Sequence, residues 1–438
     1  MPGRISKPEL DDPFLILVLG DFSGRASRGL TGAVEGRTPI AVDCESVDDA
    51  MKRLQVKIRI PVEAQNLDLE FHGMDEFHPD HLFESLDIFE DLRDGLQTQA
   101  PKPIPARRAA PASDILSGSL LDQIAEGTDP LQSFIDRTVS PHLVARETVS
   151  EKDWKTRVQS MAAEALRALM HHNNFQQIEA AWRGLDFLVR NVETSPQLKI
   201  YLLDVSLDEI RAAPGGLDAI LAPEKKWSSI LANYVFDPTI EDIEFLARLS
   251  LTAANAGAPL IAQAGAGVLG CRSIAAAPDP DDWNLNQPAW EELRNFPESN
   301  WLALATPSFM GRLPYGRNGA STERLPFEEI ARESKHGDYL WCNAAFAVGA
   351  LVARTFSESG WKMRLGEFRI LDRVPMHVND GDLKPGAEVF LTQRAVERMI
   401  EHGLIPLISR KDNDSLQIGM FQSVNRANAA LQGRWRIA

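Results

Sequence analysis

Residues 230–264 read ILANYVFDPTIEDIEFLARLSLTAANAGAPLIAQA. Ile230 to Phe236 is a strand-length run of apolar and aromatic residues. Thr239 is a helix N-cap, and Glu241 and Asp242 follow in the first turn, where carboxylates complement the helix dipole. Gly257 ends the helix, and Pro259 to Ala264 is a second, buried strand. Strand, helix, strand in this order is the pattern of a parallel sheet with covering helices.

The same rhythm extends outward. Leu198 to Leu203 is a strand, Ser206 and Glu209 form a capping box, and Trp301 to Ala305 is a further strand. Near the N-terminus Phe14 to Leu19 is continuously apolar, as expected for a strand buried on both faces, and Gly20-Asp21-Phe22-Ser23-Gly24 breaks it into a turn. Val56 to Ile60 and Leu67 to Phe71 read as strands. A helix is expected from Pro79 or Asp80 through Leu96, with Leu82, Phe83, Leu86, Phe89 and Leu92 at helical spacing. Two apolar stripes mark long helices: Val158, Met161, Ala165, Leu166 and Leu169, then Phe175, Ile178, Trp182, Leu185 and Leu188. Towards the end the pattern predicts a long helix from Asp338 to Glu358 stopped by Gly360. It also predicts a helix from Gln393 to Glu401 stopped by Gly403, and strands at Glu388 to Leu391, Ile405 to Ser409 and Leu416 to Met420. The expected fold class is α/β (mixed α+β), with a mostly parallel central sheet and covering helices.

The chain has 438 residues, long enough for two or three domains and a large core. Against 46 basic residues stand 62 acidic ones, a net charge of −16. That balance argues against general binding to nucleic acid or anionic membranes, which need clustered Lys and Arg. The three cysteines, Cys44, Cys271 and Cys342, are far apart and form neither a zinc spacing nor a disulfide framework. No stretch approaches the ~20 apolar residues of a membrane span, and Met1 to Asp12 does not read as a signal peptide. A soluble cytoplasmic protein is expected. Residues 98–112, TQAPKPIPARRAAPA, carry four prolines and read as a linker. The expected organisation is therefore a domain at 1–97, the linker at 98–112 and a domain at 113–438.

Catalytic patterns are sparse. Gly265-Ala-Gly267-Val-Leu-Gly270 matches the G-x-G-x-x-G of a dinucleotide loop and follows a strand. That chemistry needs a helix whose amides face a pyrophosphate, and Pro278 and Pro280 cut such a helix short. The competing reading is a small-residue turn where backbones pack closely. His72, His78 and His81, with Asp75, Glu76 and Asp80, bring metal-ligand types together, but no spacing puts two imidazoles on one helix face; a polar turn entering a helix is the simpler account. His171-His172 reads as surface. Cys342 reads as part of an apolar helix. We expect no catalytic residue, cofactor or metal.

Several strings together resemble the large subunit of the bacterial type VI secretion contractile sheath, known as TssC, VipB, EvpB or ImpC. They are Ser119-Leu-Leu-Asp-Gln-Ile124, Phe175-Gln-Gln-Ile-Glu-Ala-Ala-Trp182-Arg183-Gly184-Leu185, Arg312-Leu-Pro314-Tyr315-Gly316, Asp338-Tyr-Leu-Trp341-Cys-Asn343-Ala-Ala-Phe346 and Gly403-Leu-Ile-Pro-Leu407. They span 113–438 in order, with Cys342 standing where the family usually has Gly. In the N-terminal part, Pro13 to Gly24 and Asp75-Glu-Phe-His-Pro-Asp80 resemble the small sheath subunit, TssB or VipA. The resemblance implies a fused structural subunit, not an enzyme, that forms a helical homo-oligomer. Such a subunit surrounds the inner Hcp tube, contacts baseplate proteins and is recycled by a ClpV-type AAA+ ATPase. It implies a C-terminal β element for strand exchange between subunits, and a cytoplasmic site attached through the baseplate to a membrane-anchored complex. Leu116, Leu120, Leu121 and Ile124 would form the helix read by the ATPase. Arg394, Glu397, Arg398 and Glu401, at i, i+3, i+4 and i+7 with like charges four apart, would face the tube. The alternatives are a sheath-like baseplate or adaptor piece that does not polymerise, and a nucleotide-binding enzyme using the Gly265–Gly270 loop.

Overall fold

The computed structural model of the chain describes residues 7–61, 66–97, 151–331, 334–411, 413–427 and 430–436. Its N-terminal segment contributes β1 (Phe14–Gly20), β2 (Ile40–Val42), α1 (Val47–Leu54), β3 (Val56–Ile60), β4 (Leu67–Phe71), α2 (Pro79–Ser85) and α3 (Glu90–Gln97). Two long helices follow, α4 (Glu151–Met170) and α5 (Asn173–Arg190), then β5 (Leu198–Asp204), α6 (Leu207–Ala212) and α7 (Pro214–Ile220). The βαβ series continues with β6 (Ser229–Phe236), α8 (Ile240–Ala256), β7 (Leu260–Ala264), α9 (Pro288–Asn295) and β8 (Leu302–Thr306). Next come β9 (Phe309–Met310), β10 (Trp341–Cys342), α10 (Ala344–Ser359), β11 (Ile370–Leu371), β12 (His377–Asn379) and β13 (Asp382–Lys384). The described elements close with α11 (Gln393–Glu401), β14 (Ile405–Ser409) and β15 (Leu416–Ile418).

One nine-stranded sheet organises these elements, in the order β11-β15-β14-β8-β7-β6-β1-β5-β2. β14, β8, β7, β6, β1 and β5 run parallel, and the outer strands β2, β15 and β11 pair antiparallel. β1 lies between β5 and β6, in register from Phe14↔Leu198 to Gly20↔Asp204 on one side and from Ile16↔Ser229 to Leu19↔Ala232 on the other. Its continuous apolar run therefore has two faces to fill. Phe14, Ile16 and Val18 enter the core beneath α4, α5 and α10, while Leu17 and Leu19 enter the core shared with α6 to α9. The N-terminal segment and the rest of the chain thus share one sheet.

Local chemistry explains the helix ends. Thr239 Oγ1 accepts from the Asp242 amide at 3.1 Å, and Gly257 closes α8 at φ +69°, a conformation that glycine adopts without strain. Ser206 and Glu209 form the expected reciprocal box at the start of α6.

Four expectations need correction. The helix predicted from Asp338 starts at Ala344, because Asn343 caps it and Trp341-Cys342 pair instead with Phe309-Met310. The Pro79–Leu96 helix breaks at Leu86, whose backbone is extended, and Arg93 donates to the Phe83 and Leu86 carbonyls on either side of the break. Glu388 to Leu391 is not a strand: Glu388 is held by the Ser308 amide at 3.0 Å and by His336 at 3.2 Å. The C-terminal strands join the main sheet, β14 beside β8 and β15 between β14 and β11. Leu416 to Met420 shortens to β15. The linker at 98–112 lies outside the described residues.

Candidate functional site

Residues from three of the strings that carry the sheath resemblance converge on one buried junction. Glu179, Trp182, Arg183 and Gly184 come from α5, Arg312, Pro314 and Tyr315 from the loop after β9, and Trp341 and Asn343 from the approach to α10. At the centre Arg312 grips two carboxylates. Its Nε and Nη2 reach Glu179 at 2.6 and 3.1 Å, and its Nη1 and Nη2 reach Glu329 at 2.7 and 2.9 Å. The carboxylate side chains of Glu179 and Glu329 are 0% and 3% exposed. Glu329 also accepts from the Tyr315 amide at 2.8 Å, and the guanidinium lies over the Tyr315 ring at 4.4 Å. Burial alone would push the Glu179 carboxyl up. The Arg312 charge and its hydrogen bond, followed by Arg183, outweigh that and hold it below its usual value. Every charge here is paired and every fork occupied, which is what makes a buried ion group tolerable. Glu329 had no sequence signal; it is recognisable only through its partner Arg312.

The neighbouring signature residues pack rather than react. Gly184 faces the Phe346 ring so closely that a Cβ would lie 2.4 Å from it. Asn343 caps α10 through Oδ1 and donates through Nδ2 to the Tyr234 carbonyl at 2.9 Å. Trp341 stacks on His336 and donates to its carbonyl at 2.9 Å. Pro314 is buried, and its carbonyl receives the Ala320 amide. Cys342 is buried in β10, with Sγ 3.3 Å from the Ala180 carbonyl; burial pushes its thiol far up.

A second junction ties the N-terminal segment to the remainder. Trp182 Nε1 donates to the Phe22 carbonyl at 2.9 Å, and the Asp204 carboxylate accepts from the Phe22 and Ser23 amides, both at 2.9 Å. The Gly20–Gly24 turn is thus held from across the sheet. Glu209, whose side chain is inaccessible, takes Arg25 at 2.8 Å and Arg37 at 2.7 Å.

The Gly265–Gly270 loop forms a short 3-10 turn over Ala266–Leu269. Asp237 Oδ1 accepts from the Gly267 amide at 3.1 Å, and a Cβ at Gly265 or Gly267 would fall 2.3 or 2.4 Å from that oxygen. A carboxylate occupies the place an anionic pyrophosphate would need. The histidine-rich turn disperses: His72 sits beside Glu76, His78 caps α2, and His81 is exposed. His171 is half-buried beside Asp338 rather than at the surface, and His172 caps α5. No group of metal-ligating side chains gathers among the described residues.

Two surfaces bear on assembly. α11 buries Ala395 and Met399 and exposes Arg394, Glu397, Arg398 and Glu401 together. Arg394 pairs with Asp281, and Arg398 with Glu401 at 3.2 Å, so the like-charge spacing along the helix is offset within the chain. The sheet ends on the short strands β11 and β2, an arrangement that limits edge pairing. A groove of about 520 Å³, more apolar than polar in its lining, opens at the carboxyl ends of the strands, floored by Asn233, Val235 and Gln263. The Gln263 amide is already engaged by Ser308 and the Ala344 amide. Leu116, Leu120, Leu121 and Ile124 lie outside the described residues.

Comparison with known proteins gives the same assignment for both segments. Residues 153–214 and 224–425, more than half of the chain, match the family "EvpB/VC_A0108, tail sheath N-terminal domain". Residues 3–97 match the family "Type VI secretion system, VipA, VC_A0107 or Hcp2". A similar relative is the type VI secretion system sheath protein TssC1 of Pseudomonas aeruginosa, 27% identical over 335 residues and covering 67% of each chain. No described helix is long and apolar enough to cross a membrane. The chain belongs to the type VI secretion tail-sheath family, and it joins a VipA-like segment to the sheath domain in one polypeptide.

Proposed function

We propose that the chain is a structural subunit of a type VI secretion contractile sheath, in which copies polymerise around an Hcp inner tube and contract to drive effector delivery. The observation that carries this reading is the joint one: segments matching the two sheath families lie on one chain and build one sheet, with the VipA-like β1 inserted between β5 and β6. Heterologous contacts that do not close generate helical filaments. Contraction then requires two packings of the same subunits that differ in free energy, released from the less stable one when the baseplate triggers it. In this reading the subunit is not an enzyme and works in the bacterial cytoplasm, attached through the baseplate to a membrane-anchored complex. Domain assignments of 1–97 and 113–438, joined by 98–112, belong to the same proposal. So do the tube-facing role of Arg394, Glu397, Arg398 and Glu401, and the reading of Leu116, Leu120, Leu121 and Ile124 by a ClpV-type ATPase.

Negative-stain microscopy of the purified chain, alone and with the tube protein, tests the proposal. Tubes are expected. Single rings or monomers under both conditions would overturn it in favour of a non-polymerising baseplate or adaptor role, which the short strands at both sheet edges favour. Charge reversal at Arg394 and Arg398 is expected to abolish co-purification of the tube protein.

A further inference from the structure

At the end of the molecule beneath the start of β1, a cleft of about 550 Å³ lies among Trp361, Met363, Leu365, Phe421, Leu431 and Trp435. Phe14 packs on both Trp361 and Trp435, with centroids at 5.5 and 6.1 Å, so the floor is part of the core and rigid. Arg434, over the Trp361 ring at 5.1 Å and paired with Asp12 at 3.2 Å, supports it from behind. The rim is different. Lys362, Arg364 and Arg436 line the same cleft, are exposed, and form no ion pair among the described residues. No carboxylate lines it among the described residues. In a chain of net charge −16, a cleft with an apolar floor whose described charged rim is entirely cationic is a local reversal of sign. It suits a ligand with aliphatic side chains and negative charge. The buried tryptophans, 2% and 7% exposed, offer edges rather than open faces, so the cleft lacks the stacking platform that single-stranded nucleic acid uses.

The sequence contains such a ligand. From Ala109 to Asp136 there are five acidic residues, Asp114, Asp122, Glu126, Asp129 and Asp136, and no basic one. Among them stand Leu116, Leu120, Leu121 and Ile124. We propose that this acidic apolar segment, centred on Leu120, docks in the Trp361–Trp435 cleft of its own or a neighbouring copy. Its carboxylates would meet Lys362, Arg364 and Arg436, and its leucines the apolar floor. Reach does not limit it. From Gln97 to Leu120 the chain can span roughly 75 Å at ~3.3 Å per residue, against a radius of gyration of about 22 Å for a body of this length. The inference holds whether or not an ATPase also reads these leucines, and it requires no polymer.

The test uses the full chain with a photoreactive benzoylphenylalanine replacing Leu120, and maps crosslinks by mass spectrometry. Crosslinks are expected in 361–365 or 431–436. The double reversal Lys362→Glu, Arg364→Glu should reduce them by about ten-fold. Adding Asp122→Lys and Glu126→Lys should restore them. Restoration separates lost attraction from lost folding, since an unfolded cleft would not recover. Crosslinks elsewhere, to another protein alone, or with a yield indifferent to the charge reversal would overturn the assignment.

Discussion

Glu209 has no access to solvent, yet its carboxyl sits at about 2, well below the 4.5 of a free glutamate. Burial pushes it up. The hydrogen bonds from Arg37, Arg25 and the Ser206 amide push it down further, so the ionised form wins. Because the folded value is depressed, the unfolded chain takes up its proton first as pH falls. The stability this group contributes is whole above pH 4.5 and is lost progressively between pH 4.5 and about 2. Its size is roughly 3 kcal/mol. Glu209→Gln keeps the shape and removes the charge. Urea unfolding should show the variant less stable than the parent by about that amount at pH 7, with the gap closing as pH approaches 3. A gap that stayed constant across this range would mean that the two arginines are not held by charge. Arg25 and Arg37 belong to the N-terminal segment and Glu209 to the remainder, so the lost energy is that of the joint between them.

Among the elements, the crossing of α5 and α10 is close enough for one methyl to test. Gly184 and Phe346 meet where neither helix has room to yield, since Phe346 is 1% exposed. Gly184→Ala should cost about 1–3 kcal/mol through overpacking. Phe346→Leu should cost stability on its own, yet less in the Gly184→Ala background, giving a coupling of about 0.5–3 kcal/mol in a double-mutant cycle. Additive losses would show that the helices relax apart. Elements of this kind were the legible part of the sequence. Thr239 and Gly257 mark the ends of α8, and Ser206 with Glu209 marks the start of α6, because caps are written in adjacent residues. Legibility failed where a distant partner decided the outcome. Trp341-Cys342 looked helical until Phe309-Met310 supplied a strand to pair with. Glu388 looked like part of a strand until Ser308 and His336 supplied better partners. Trp182, Arg183 and Arg312 could be singled out from their strings, but Glu329 could not, because its role exists only through Arg312. The cleft at Trp361 was equally hidden, since it is assembled from residues about 70 apart in the chain.

For the molecule as a whole, the placement of β1 decides what can be separated from what. A proline-rich stretch invited a division into two bodies, yet β1 is hydrogen-bonded on both sides by strands nearly 200 residues downstream. Removing residues 1–97 would take both neighbours from β5 and one from β6, exposing the edges of two strands rich in buried apolar residues. Each Ile or Leu of β1 contributes about 1.5–3 kcal/mol by burial. Four of them, with Phe14 and Val18, are comparable to the entire net stability of an ordinary domain. The remainder should therefore not persist as a folded monomer, and outside the shared sheet the described part of residues 1–97 holds only the small β3–β4 hairpin and the short helices α1 to α3. Expressed separately, neither part should show a cooperative unfolding transition by circular dichroism, and residues 113–438 should aggregate through their open edges. Co-expressed, the two should purify as a one-to-one complex whose transition matches that of the intact chain, less the advantage of covalent linkage. The linker would then act as a tether that fixes stoichiometry, while the fold is specified by the pairing of β1. A cooperative transition in residues 113–438 alone would show instead that β5 and β6 can close on each other, and that β1 is an insertion the sheet can do without.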